Sequence, residues 1–151
     1  MRTIGNLLWF VFGGFIAGAL WWFLGLCFYL SVIGIPWGKA AFVIGQFSFW
    51  PVGRETVKRD QLTEQDDIGT GTAGTIGNII WFLLAGIWLA IFHLVAGIAC
   101  CLSIIGIPFG LQHFKLADTA LAPIGKTVVK KEVASEVRRQ EATKFIEQKR
   151  R

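Results

Sequence analysis

The stretch SVIGIPWG, residues 31–38, returns as SIIGIPFG at residues 103–110. Each copy interrupts a long apolar run with Gly-Ile-Pro. A residue before proline is pushed out of helical geometry, while proline itself suits the first turn of a new helix. Ile35-Pro36 and Ile107-Pro108 therefore end one helix and begin the next. Gly34, Pro36 and Gly38, with Gly106, Pro108 and Gly110, are the helix-break residues of a unit used twice.

Sliding the chain by 72 residues lays Thr3–Val57 over Thr75–Val129 without a gap, with 19 of the 55 positions identical. TIGNLLWF (3–10) meets TIGNIIWF (75–82), and FWPVGRETV (49–57) meets LAPIGKTVV (121–129). All four prolines pair, Pro36 with Pro108 and Pro51 with Pro123. Such self-similarity marks two copies of one structural unit.

Composition places these units in a membrane. The chain is 54% hydrophobic with a mean hydropathy of +0.55. Charged residues make up 17%, against about 25% in soluble domains. None lies between Thr3 and Gly38 or between Ile68 and Phe114. Uncharged runs well beyond ~18 residues read as membrane segments rather than a soluble core. The first is also too long for a signal peptide, and AGALWWF (17–23) offers no cleavage site.

Each copy parses alike. The long segments 5–33 and 77–105 hold 29 residues each, roughly 43 Å of helix against a hydrocarbon core of ~30 Å. They must tilt, reach into the headgroups or kink, with Gly13-Gly14 as the candidate kink in the first copy. Trp9 and Trp81 suit interfacial anchors. The following segments, 36–50 and 108–122, hold 15 residues each, or about 22 Å, short of a full crossing. The expectation is an all-α membrane protein of two tandem, parallel helical hairpins, each a long spanning helix and a short returning or re-entrant one. The boundaries are 1–57 and 75–129 for the repeats, 58–74 for a polar loop, and 130–151 for a basic cytoplasmic tail helix.

The net charge of +5 resides in that tail, where Lys126–Arg151 carries nine Lys/Arg and four Glu. No aromatic–basic motif accompanies it, so the partner is anionic lipid rather than nucleic acid. If each repeat enters and returns, then Arg2, the Arg54–Arg59 cluster and the tail share one side, which the positive-inside rule makes cytoplasmic for both termini. In the tail, Glu136–Arg139, Glu141–Lys144 and Glu147–Arg151 are spaced for pairing, and Val129, Val133 and Val137 form a thin apolar stripe.

Chemistry-bearing motifs are few. GTGTAG (69–74) matches a dinucleotide-binding turn but follows an acidic loop rather than a strand, so it reads as a lead into the next helix. Cys27, Cys100 and Cys101 lie in apolar runs without metal-ligand spacing. Ser31 and Ser103 have no base beside them and suit backbone bonding at the breaks. Asn6 and Asn78, at matched positions, suit caps or cross-links between helices. His93 and His113 each occur in one copy and read as packed or interfacial residues. Gly14 and Gly18 suit close helix packing. No catalytic set, metal or cofactor is expected, and the chain does not read as an enzyme.

The short helices carry a mixed face. Lys39, Val43 and Gln46 share one stripe; Leu111, Lys115 and Asp118 are their counterparts, and Lys115 can pair with Asp118 at i,i+3. Polar groups in lipid are costly, so the stripe faces protein, water or the interface, or else its two lysines snorkel. Lys39, Gln46, Lys115 and Asp118 are the candidate pathway residues.

The start GNLLWFVFGG (5–14), the turn SIIGIPFG (103–110), FWPVGRETV (49–57) and its echo APIGKTVV (122–129) resemble the YccF family of bacterial inner-membrane proteins. The resemblance runs from about Thr3 to Val129. It implies a multi-pass inner-membrane protein with two copies of an inner-membrane component domain, and it supplies no catalytic residues. The favoured function is an oligomeric channel or transport-type assembly, since paired Gly/Pro breaks point to an embedded site. The alternative is a structural or regulatory partner of another membrane protein.

Overall fold

The computed structural model describes residues 2–65, 67 and 69–150. In chain order it runs α1 (Arg2–Trp9), a π-helical turn (Phe10–Gly14), α2 (Phe15–Leu30), α3 (Ile35–Phe49), β1 (Arg54–Lys58) and α4 (Arg59–Thr63). The second half repeats the pattern: α5 (Thr72–Trp81), a π-helical turn (Phe82–Gly86), α6 (Ile87–Cys101), α7 (Ile107–Leu121), β2 (Lys126–Lys130) and α8 (Lys131–Arg150). The protein is mostly helical, and the runs Arg2–Leu30 and Thr72–Cys101 are long and apolar enough to cross a membrane.

Each of these runs is interrupted by its π-helical turn, and the first is kinked there. Gly13 sits at φ 153° inside the first, a conformation open to glycine and strained for other residues. The kink falls where Gly13-Gly14 marked it, and its counterpart at residues 82–86 is π-helical with no outlying residue. Beyond each π-helical turn, α2 packs along α3 and α6 along α7 as antiparallel hairpins closed by the Gly-Ile-Pro turns. The helices approach closely because glycines face each other at matched places: a Cβ on Gly38 would lie 3.0 Å from the Gly25 carbonyl, and one on Gly110 would lie 2.6 Å from that of Gly97.

The opposite end of each hairpin, the base, is built by the shared motifs. The Asn6 amide donates to the Val52 carbonyl (2.9 Å) and accepts the Val52 amide proton (2.8 Å). Asn78 does the same with Ile124, at 3.0 Å both ways. The Trp9 indole donates to the Ser48 carbonyl at 2.6 Å, and Trp81 to that of Ala120 at 2.7 Å. Pro51 and Pro123 are fully buried, and the turns after them need a positive φ at Gly53 (82°) and Gly125 (85°). Both tryptophans are therefore interior residues, 6% and 3% exposed, and not the outward interfacial anchors that their position in sequence suggests.

A two-stranded antiparallel ladder joins the bases, pairing Arg54 with Lys130, Thr56 with Val128 and Lys58 with Lys126. Residues 54–58 and 126–130 are strands rather than coil or helix. Each is only five residues long, with β-branched residues at the centre. Val129 consequently belongs to β2, and the tail helix begins at Lys131. That helix docks through Ala134 and Val137, both buried, while Val133 stays exposed. Ion pairs Arg2–Glu132 (2.6 Å), Arg138–Glu55 (2.7 Å) and Lys144–Glu64 (2.8 Å) hold it across the base. Of the pairings expected within the helix, Arg139–Glu136 forms at 3.5 Å. Lys144 turns to Glu64 instead of Glu141, and the Glu147 pairing involves Arg151, outside the described residues.

Candidate functional site

The two long helices meet through Trp21 and Trp81. Between them lies an open cleft of about 1220 Å³ whose walls include Phe12, Ile16 and Leu20 from the first repeat and Trp88, Phe92 and Phe109 from the second. Its floor is the core where the repeats meet: Trp21 lies 6.1 Å from Trp81 between ring centroids, and Trp9 stacks on Phe109 at 6.2 Å. Apart from the Cys100 thiol, two imidazoles bring the ionisable groups of this lining, His93 on α6 and His113 on α7.

Those histidines touch. Nδ1 of His93 lies 3.0 Å from Nδ1 of His113. One ring must donate from Nδ1 while the other accepts there, so a neutral pair adopts opposite tautomers. The Trp9 ring meets His113 edge-on at 5.1 Å. Under the repeat alignment, His93 and His113 correspond to Trp21 and Ala41. One hairpin fills its wall with a large ring beside a methyl group, and the other replaces that pair with two hydrogen-bonded imidazoles.

The polar-stripe residues are placed differently. Lys39 and Gln46 are both exposed on α3. Lys115 is half-buried, donating to Gln112 Oε1 (3.1 Å) and to the Arg54 carbonyl (3.4 Å). Asp118 pairs with Lys126 at 3.2 Å, which corrects the expected Lys115–Asp118 contact: the strand that follows α7 brings a better-placed ammonium to the same carboxylate. None of the four lines the cleft. The break residues all lie at the hairpin tips, with Pro36 and Pro108 in the first turns of α3 and α7.

Reading along the sequence missed the histidine contact because the two rings are 20 residues apart. A signal was available. His93 and His113 lie at nearly equal distances on either side of the turn, so folding the chain back there sets them opposite each other. The glycine-rich stretch 69–74 is a turn leading into α5: the Asp67 carboxylate, held by Arg59 at 2.6 and 2.9 Å, accepts the Gly69 amide at 2.6 Å. The Arg59 guanidinium keeps the Asp67 carboxyl well below the usual range, down to about 2.

Comparison with known proteins decides the family. The model of the YccF inner membrane component domain matches twice, over residues 4–54 and 76–126. The chain belongs to the YccF family. It is 37% identical over 148 residues to the inner membrane protein YccF of Escherichia coli (strain K12), an alignment covering 97% of this chain and all of that one. The YccF protein of Shigella flexneri matches equally well. No solved structure matches the chain. The two YccF matches each take in the base clasp and the Gly-Ile-Pro turn, so the shared signature is a set of fold-building residues. His93 falls within the second match opposite Trp21 in the first, which makes the imidazole pair a feature of one domain copy only.

Proposed function

We propose that this inner-membrane component is of transport type, and that its working surface is the cleft between the two long helices. The occupant is an amphipathic molecule with an acyl chain, drawn from the surrounding bilayer. The observation that carries this reading is the His93–His113 pair set in an otherwise apolar wall. A groove between membrane helices is lined for hydrocarbon, while a hydrogen-bonding pair gives a polar end something to recognise. The test is photo-crosslinking of the full chain in nanodiscs with a diazirine-bearing phospholipid. Adducts should concentrate on cleft residues, fall when Ala17→Trp fills the cleft, and change in extent with His113→Leu. Adducts spread evenly over the outer helix faces would refute the reading.

An oligomeric channel is the second reading. Lys39 and Gln46 support it, being exposed seven residues apart on one helix face, where polar groups call for protein or water. Charge placement supports cytoplasmic termini in either case. Arg2, the strand lysines and arginines and the basic residues of α8 all belong to the base end, as the positive-inside rule requires of the cytoplasmic face.

A further inference from the structure

We infer that the two hairpins enter the membrane from the base side and end inside it, so that both tips lie among acyl chains and no loop reaches water on the far side. This goes beyond the cleft reading and is independent of what the cleft holds.

The tips are unlike loops that emerge into water. Val32 and Ile33 are 71% and 83% exposed, and Leu102, Ile104 and Ile105 at least 83%. Water-facing turns carry Gly, Asn, Asp and Ser for their polarity and backbone freedom; here, apart from Ser31 and Ser103, the exposed residues 32, 33, 102, 104 and 105 carry large aliphatic side chains. The polar groups at the tips are paired within the chain. Amides 31, 32, 33 and 35 donate to carbonyls of residues 28, 29, 31 and 32. The Gly34 amide donates to Ser31 Oγ, which itself donates to the Phe28 carbonyl. Ser103 receives the Gly106 amide in the same way. Internal satisfaction of backbone groups is what a hydrocarbon environment demands.

Length agrees. Beyond the π-helical turn, α2 has 16 residues and α3 has 15, roughly 24 and 22 Å, against a core of ~30 Å. The hairpins also cross each other. Trp9, fastened at the base of the first, stacks on Phe109 near the tip of the second, and Phe28 near the first tip lies 6.5 Å from Trp81 at the second base. Lys39 is the one charged side chain near a tip, among the described residues, and its four-carbon stem lets the ammonium snorkel.

The test uses the full chain with Cys27, Cys100 and Cys101 replaced by alanine. Nitroxide labels are placed at Val32→Cys and, separately, at Ile104→Cys. The chain is then reconstituted in phosphatidylethanolamine/phosphatidylglycerol vesicles. A label at Glu136→Cys, exposed on α8, is the aqueous standard. Both tip labels should collide with oxygen several-fold more often than the standard and with a water-soluble nickel chelate several-fold less often. Nickel collisions equal to the standard would place the tips in water and overturn the inference. Low collision with both probes would mean that protein, such as a second copy, covers the tips, and would overturn it too. Lipid-buried tips would also leave the channel reading without a far mouth.

Discussion

The side chain of Asn6, buried, grips the backbone of Val52 at both its amide and its carbonyl, 46 residues away in sequence. The contact ties the start of the long helix to the end of the hairpin. Asn6→Leu keeps the branching of the side chain but orphans two part-buried backbone groups, each costing about 1–3 kcal/mol if water does not reach it. The variant should melt clearly lower in detergent. Asn78→Leu should behave alike, and an unchanged midpoint in either would show that water replaces the lost bonds.

The imidazole pair makes a prediction about coupling. Removing one ring leaves the other in an apolar wall without its partner, so His93→Leu and His113→Leu should each destabilise. Transplanting the first repeat's solution, His93→Trp with His113→Ala, removes both polar groups and refills the space. A thermal-denaturation double-mutant cycle of His93→Leu, His113→Leu and the two together should give a favourable coupling of about 1 kcal/mol. Simple additivity would mean that the rings do not depend on each other.

The Arg59–Asp67 contact predicts a pH window for the loop between the repeats. The folded Asp67 carboxyl is depressed to about 2 from an ordinary value of about 4. Its stabilisation is therefore fully present above pH 4 and is lost as pH falls from 4 towards 2. Hydrogen exchange of residues 59–71 should accelerate over that range in the parent beyond any change in Asp67→Asn. Parallel profiles for the two would refute a role for the carboxylate. Asp67 is largely exposed, so the effect should be local.

Docking of α8 should depend on one methyl group more than on its ion pairs. Ala134 is wholly buried, whereas the Arg138 side chain facing Glu55 is 58% exposed. Ala134→Asp should release the helix to proteolysis, while Arg138→Ala should alter it little, as exposed pairs contribute about 0–1 kcal/mol. Equal protease resistance of Ala134→Asp and the parent would show that the helix is held some other way.

The membrane class, the doubled unit, the turns and the first kink were legible because each follows from a run length, a proline or a glycine in the chain itself. The ladder was not. RETVK and KTVVK are each too short to declare a strand, and each finds its partner 72 residues away. Trp9 misled because position along a segment indicates depth in the bilayer but not which way a ring points. Lys115 and Asp118 sit on one helix face as their spacing requires, yet Asp118 is taken by Lys126, a residue that only the turn at Gly125 delivers. The paired histidines show the same limit: the fold brings together two residues that seemed unrelated.

The ladder centres on Thr56 and Val128, which occupy the same position in the two repeats. A chain carrying only one repeat would thus own a strand whose natural complement is another copy of itself. Severed between the halves, the protein should reassemble as two fragments, and the first half alone should seek a twin across Thr56. The covalent joint sets the stoichiometry at one of each and frees the two sides to diverge, which is how one wall can carry tryptophan while the other carries histidine.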